Sequence, residues 1–177
     1  MRCFDETSSN YNQHQSWMVA AAQQAMSSTC RKSRRGAVLV KEDVVIGAGS
    51  IRTKLPELCD PCVRAEKHGT YDYLDCPALH AEEMALLDAL SKGHDPRDGM
   101  MYHIKLLQEP ASHGNWAYSP RPGCRQCARL LAHYGIRIVL NTRDGYAVYG
   151  PEEHTRCAFG LEGTDGMTKS EEGETNE

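Results

Sequence analysis

The spacing of apolar positions changes along the chain, and each change marks an expected element. Residues 16–26, Ser-Trp-Met-Val-Ala-Ala-Ala-Gln-Gln-Ala-Met, are rich in alanine and unbranched side chains that lose little freedom in a helix. Ala37-Val38-Leu39-Val40 and Val44-Val45-Ile46 are short β-branched runs on either side of Lys41-Glu42-Asp43, which predicts a hairpin in a covered sheet. Ala81, Met84, Ala85, Leu87 and Leu90 recur at helical spacing, so a second helix is expected over residues 80–90, ended by Gly93. A strand follows over 100–107, then a loop with Pro110, Gly114, Pro120 and Pro122. A third helix over 125–133 is closed by Gly135, a strand occupies 136–140, and Tyr146-Ala147-Val148-Tyr149 reads as a short last strand.

Between these blocks lie segments without a period. Residues 1–14 are polar and are expected to form a flexible N-terminus; a single domain spans 15–162, with an insert at about 52–79. The tail, 163–177, is acidic and rich in Gly, Ser and Thr, a composition that buries too little to order itself. Strands alternating with helices imply an α/β fold, a mixed sheet covered by helices, with a parallel part late in the chain.

Composition narrows the classes. With 40% hydrophobic and 25% charged residues the chain is globular, and its net charge of −4 gives no basic stripe for a nucleic-acid polymer. The densest cationic stretch is Arg31-Lys32-Ser33-Arg34-Arg35, either a solvated turn or a phosphate contact. No run reaches the length of a membrane span and no signal peptide is evident, so a cytoplasmic location is expected. In a reducing compartment eight cysteines point to metal ligation or catalysis before disulfides.

Two motifs carry chemistry: His80-Ala81-Glu82 at one expected helix start, and Pro122-Gly123-Cys124-Arg125-Gln126-Cys127 at the next. Alone each is weak, an exposed helix start or a redox pair. In this order they approach the signature of zinc nucleobase deaminases, with Gly123 interposed where a tight turn is expected. A catalytic zinc takes three protein ligands and leaves the fourth position to water. His80, Cys124 and Cys127 supply the three, and a helix N-terminus favours the thiolate form. Glu82 is left to carry protons while water, activated by the metal, attacks C4 of a cytosine ring and ammonia leaves.

On these residues the sequence resembles the cytidine and deoxycytidylate deaminase superfamily over residues 16–140. The similarity extends to Gly36-Ala37-Val38 after Cys30-Arg31-Lys32-Ser33-Arg34-Arg35, to Cys76-Pro77-Ala78-Leu79 before His80, and to Gly135-Ile136-Arg137-Ile138-Val139. The resemblance implies a three-layer α/β/α fold around a five-stranded mixed sheet, a homo-oligomer, and a small-molecule nucleotide or nucleoside substrate. The deoxycytidylate branch fits best, because it too carries a long cysteine-bearing insert, and dCMP is the expected substrate, its phosphate held by Arg31, Arg34 or Arg35. The family's turn after the second strand usually bears an asparagine that contacts sugar or base. Here it reads Gly47-Ala48-Gly49-Ser50-Ile51-Arg52, so Ser50 or Arg52 takes that contact, beside Ala81, or the substrate differs.

The insert adds Cys59-Asp60-Pro61-Cys62, His68 and Cys76, which suit a second, structural zinc; Cys30 or another histidine is the alternative fourth ligand, and free half-buried thiols are the plain reading. Two rivals stand beside dCMP: deamination of a nucleoside, free base or modified base, and a non-catalytic zinc-stabilised binding module using Cys59, Cys62, Cys124 and Cys127.

Overall fold

A computed structural model of the chain describes residues 2–4, 10–64, 76–106, 116–117 and 123–161, with the backbone alone at 2–4 and 116–117. In chain order the elements are β1 (Arg2–Phe4), α1 (Tyr11–Met26), β2 (Arg34–Lys41), β3 (Val44–Ser50), a 3₁₀ turn (Pro56–Cys59) and α2 (Ala81–Ser91). They continue with β4 (Met100–Leu106), β5 (Trp116–Ala117), α3 (Arg125–His133), β6 (Arg137–Thr142), β7 (Gly145–Tyr149) and α4 (Pro151–Phe159).

The strands lie in the order β1-β7-β6-β4-β2-β3, with β5 beside β4. Only β4 and β6 run parallel; the other pairings are antiparallel. Five strands of five to eight residues make the expected mixed sheet, and β1 and β5, three and two residues long, extend it. The β2–β3 hairpin turns at Glu42 and Asp43, both at positive φ (51° and 58°), a primed turn whose twist matches that of the strands.

Alternation along the strands sends side chains to two cores. On one face Val38, Val40, Tyr102, Ile104 and Val139 pack beneath Met18, Ala21 and Ala25 of α1. On the other, Ala37, Leu39, Met101, Ile138 and Leu140 meet Ala85, Leu86 and Ala89 of α2 and Leu131 of α3, and Cys157 of α4 packs against this cluster. The result is the three-layer α/β/α arrangement. Helices lie unusually close because glycines face them. A Cβ on Gly36 would sit 2.2 Å from the Ala21 carbonyl, and one on Gly49 would sit 2.5 Å from the amide nitrogen of Ala85. The second approach presses the first turn of α2 onto β3 and so fixes where His80 and Glu82 stand.

Besides β5, which falls in the stretch expected to be a loop, three elements differ from the sequence expectation. Helix α1 starts at Tyr11, not residue 16, because Asn10 begins the turn (its carbonyl accepts from His14 N–H, 3.0 Å) and His14 is buried with Nδ1 2.9 Å from the Tyr102 hydroxyl. Residues 2–4 pair with β7 where irregular chain is expected. Helix α4 went unpredicted although its signals are local: Pro151 at the start, Glu152 and Glu153 in the first turn, and Gly160 closing it at φ 70°.

The insert leaves β3 and returns to α2 at one point. Arg52 N–H donates to the Leu79 carbonyl (3.2 Å) and Leu79 N–H to the Arg52 carbonyl (2.9 Å). His68, Pro122, the prolines at 110 and 120, Gly114 and the tail from residue 163 lie outside the described residues. No helix among the described residues is long and apolar enough to cross a membrane.

Candidate active site

His80 and Cys124 occupy equivalent places, each the extended N-cap residue of a helix (φ −75°, ψ 163° and φ −69°, ψ 158°). Cys127 follows one turn into α3, and its N–H donates to Cys124 Sγ at 3.4 Å. The two sulfurs are 3.4 Å apart, and His80 Nδ1 lies 3.1 Å from Cys124 Sγ and 3.3 Å from Cys127 Sγ. Among the described residues this is the sole group of three or more His, Cys, Asp or Glu donors within 4.8 Å of one another.

The donors fit zinc. Bond lengths of about 2.3 Å to sulfur and 2.0–2.1 Å to nitrogen give tetrahedral edges of roughly 3.5–3.8 Å, slightly wider than those observed. Their protonation fits as well. The hydrogen bond from Cys127 holds the Cys124 thiol down, to about 5, while the same bond and burial push Cys127 well up. Burial opposes protonation of His80, but its hydrogen bond to Cys124 and the charges of Glu82, Cys124 and Glu83 leave it raised. Two sulfurs with one thiolate between them, beside two carboxylates, form a negatively charged pocket that a divalent cation neutralises.

Glu82, the first-turn carboxylate next to His80, is 3% exposed and stays outside that donor set. Burial pushes its pKa up, but the charges of His103, His80 and Arg35 and a backbone hydrogen bond outweigh this and hold it at about 2. His103 of β4 places Nε2 3.7 Å from Glu82 Oε1, and burial pushes the imidazole down to about 4. Glu82 is therefore a carboxylate and His103 neutral at neutral pH. Gly123 has a role other than the tight turn expected of it: a Cβ there would sit 2.9 Å from Glu82 Oε1. Its missing side chain makes room for the carboxylate.

Comparison with known proteins agrees with this centre. The family described as the cytidine and deoxycytidylate deaminase zinc-binding region matches residues 11–142. The chain belongs to that family. Among solved structures, a cytidine deaminase from Burkholderia pseudomallei is similar at 17% identity with a TM-score of 0.52, over 80% of this chain and 94% of that one. A dCMP deaminase from the cyanophage S-TIM5 in apo form is similar at 17% identity with a TM-score of 0.47, over 72% and 83%. A search of curated proteins gave no match. Membership in the deaminase family makes the chain a hydrolase acting on carbon–nitrogen bonds, with a zinc-binding region that contains His80, Cys124 and Cys127.

Within this deaminase the other sequence-predicted residues separate. Ala81 is fully buried in the first turn of α2, under Gly49. Ser50 and Arg52 turn their polar groups toward the end of α1: Ser27 Oγ is 3.2 Å from Ser50 Oγ and accepts from Arg52 at 3.1 Å, while Arg52 Nε donates to Ser50 Oγ at 3.2 Å. That network engages the groups assigned to the substrate. Arg31 is exposed and pairs with Asp60 at 2.8 Å, and Arg34 is exposed on the α1 side of β2. Arg35, half-buried, is on the zinc side and acts on Glu82 and His103. The binding-module site of Cys59, Cys62, Cys124 and Cys127 is not assembled, because Cys124 and Cys127 face His80. Cys59 instead neighbours Cys76, Cys30 and Cys62, whose charges add to burial in raising its thiol pKa.

Glu83 was missed by sequence reasoning. It is buried, accepts from His80 N–H at 2.8 Å and from Gln126 Nε2 at 2.7 Å, and so ties the ligand-bearing turns of α2 and α3 together. The signal was present in part: a Glu three residues after a helix cap reaches back to the cap's N–H.

Proposed function

We propose that this deaminase converts dCMP to dUMP and ammonia. The supporting observation is a pair of cations: Arg35 of β2 lies directly opposite Lys105 of β4, on the strand face that carries His103 and meets Glu82. Burial, then the charge of Arg35, lowers the pKa of Lys105. Like charges directly opposite in a sheet repel, and a substrate phosphate between them relieves the repulsion, with the guanidinium able to grip two oxygens.

His80, Cys124 and Cys127 would hold a zinc ion, which would supply the Lewis acidity that lets water act as a nucleophile near neutral pH. The chain's own residues do the rest. Glu82 Oε accepts a proton from the attacking water and passes it to the ring nitrogen as the new C4–O bond forms. It then moves the second proton to the amino group, and the C4–N bond breaks to release ammonia. Buried surroundings keep bulk water from competing for those protons.

The test is a panel of dCMP, CMP, deoxycytidine, cytidine, cytosine, guanine and adenosine assayed for ammonia. dCMP should turn over best, and Arg35→Gln should raise KM for dCMP about tenfold or more while leaving that for deoxycytidine within about twofold. Preference for deoxycytidine or a free base overturns the nucleotide assignment and leaves the deamination standing.

A second, structural zinc is part of the same proposal, held by Cys30, Cys59, Cys62 and Cys76. Its support is that Cys76, Cys30 and Cys62 neighbour Cys59 and, after burial, raise its thiol pKa; no three of these sulfurs lie within 4.8 Å of one another, so the metal would draw them together. Two contacts bring the segment of Cys30 to the insert: the Arg31–Asp60 ion pair and the hydrogen bond from Lys32 Nζ to the Arg64 carbonyl. A homo-oligomer in the cytoplasm completes the proposal; Leu87 and Leu90, exposed one turn apart on α2, offer an apolar contact for a second copy.

A further inference from the structure

Position 103 faces the core beneath α2, between Ala37 of β2 and Leu140 of β6 in the sheet register. Its strand neighbours on that face are Met101, fully buried and apolar, and Lys105 at the rim. An aliphatic side chain would fill such a place without cost. The chain instead puts an imidazole there, 1% exposed, with neither ring nitrogen hydrogen-bonded among the described residues. A buried polar group without a partner destabilises the fold, so its presence calls for a function. The carboxylate of Glu82 faces it, with Oε1 3.7 Å from His103 Nε2, just beyond hydrogen-bonding distance. Hydrogen bonds around catalytic groups are often long until substrate binds.

We infer that His103 is a positioning residue for Glu82: its Nε2–H donates to Oε1 and fixes the rotation of the carboxylate, so that the other oxygen faces the ring nitrogen and the departing amine. The inference rests on the deamination reading and holds whichever base is the substrate. The groups acting on His103 are Glu82 and His80 from α2, Arg35 from β2 and His154 from α4. His154, fully buried and likewise without a hydrogen bond at either ring nitrogen, is the rival for the same task.

The experiment uses the zinc-loaded full chain and whichever panel substrate the wild type turns over fastest. His103→Phe should lower kcat about tenfold to a hundredfold, the scale for losing a partner that orients a catalytic group, with KM within about twofold and zinc content unchanged. His103→Gln, whose amide NH₂ can reach toward Oε1, should recover most of kcat. A His103→Phe enzyme with wild-type kcat overturns the inference. So does a Gln variant as slow as Phe with its zinc intact, or a loss of kcat in His154→Phe without one in His103→Phe. A measurement on the wild-type chain needs neither folding of a variant nor a substrate: in ¹⁵N-histidine-labelled holoprotein, the His103 proton should reside on Nε2 and exchange slowly, and its signal should shift in Glu82→Gln. A proton on Nδ1 overturns the inference. Absence of ammonia from every substrate, with the proton on Nε2, would refute the deamination reading and leave the His103–Glu82 contact in place.

Discussion

At the His80–Cys124–Cys127 centre two donors cap helices and the third sits one turn along, braced by Glu83 on one side and the β3 glycines on the other. The four cysteines Cys30, Cys59, Cys62 and Cys76 come from the approach to β2, a 3₁₀ turn and the irregular chain around it, and they are half-buried. The first set is held in place by backbone hydrogen bonds and by the packing of its helices. The second is brought together by side-chain contacts between distant parts of the chain, Arg31 with Asp60 and Lys32 with the Arg64 carbonyl, so a metal there would add order to the loop. Donor geometry fixed by helix caps suits catalysis, in which small displacements are costly; donors on loops suit a clamp.

The comparison breaks most sharply at the metal. Cys124→Ser should abolish turnover and remove one zinc equivalent by elemental analysis, with the fold largely kept. Unchanged metal content would take Cys124 out of the ligand set. Next comes Glu82→Gln, which should retain zinc and lose at least about a hundredfold in kcat; near-normal activity would put the proton shuttle elsewhere. Gly123→Ala pushes a methyl toward Glu82 Oε1 and should cost about tenfold in kcat at full zinc content. In the insert, Cys59→Ser should remove the other zinc equivalent and lower Tm by several degrees while kcat stays within about twofold. A Cys59→Ser protein with wild-type zinc content would return the four cysteines to ordinary free thiols.

The smallest effect concerns acid. Burial pushes His103 and His154 down to about 4 from an ordinary value near 6.5. Between those values the unfolded chain binds more protons than the folded one. The stability these residues lend is complete above pH 6.5 and is lost as pH falls toward 4. The Tm of wild type should fall over that window, and His154→Phe should fall less steeply, read by calorimetry at several pH values.

Legibility followed the range of the interactions. His80, Glu82, Cys124 and Cys127 were readable because each motif sits at its own helix start, where spacing of two or three residues decides geometry. Strands β2, β3 and β6 were readable from β-branched runs, whereas β1 and β5 were not. Arg35 could be named as a cation, but its pairing with Lys105 depends on the β2–β4 register, which no local pattern encodes. His103 was hidden for the same reason: within Met-Met-Tyr-His-Ile-Lys-Leu nothing says which face meets Glu82. Ser50 and Arg52 were assigned from the position of a turn, whereas their side chains follow the end of α1. Cys30 comes near Cys59 through contacts between distant parts of the chain, beyond any spacing rule, while His68 lies outside the described residues.

The paired hydrogen bonds between Arg52 and Leu79 join the two ends of the insert at its neck. The strand end and the helix start are joined there, so the backbone just before His80 is held at the neck of the insert. Lengthening such a loop costs only slowly growing closure entropy. The segment is therefore the part of this enzyme freest to be rewritten, by evolution or by an engineer grafting a new recognition element, while the chemistry a few ångströms away stays as it is.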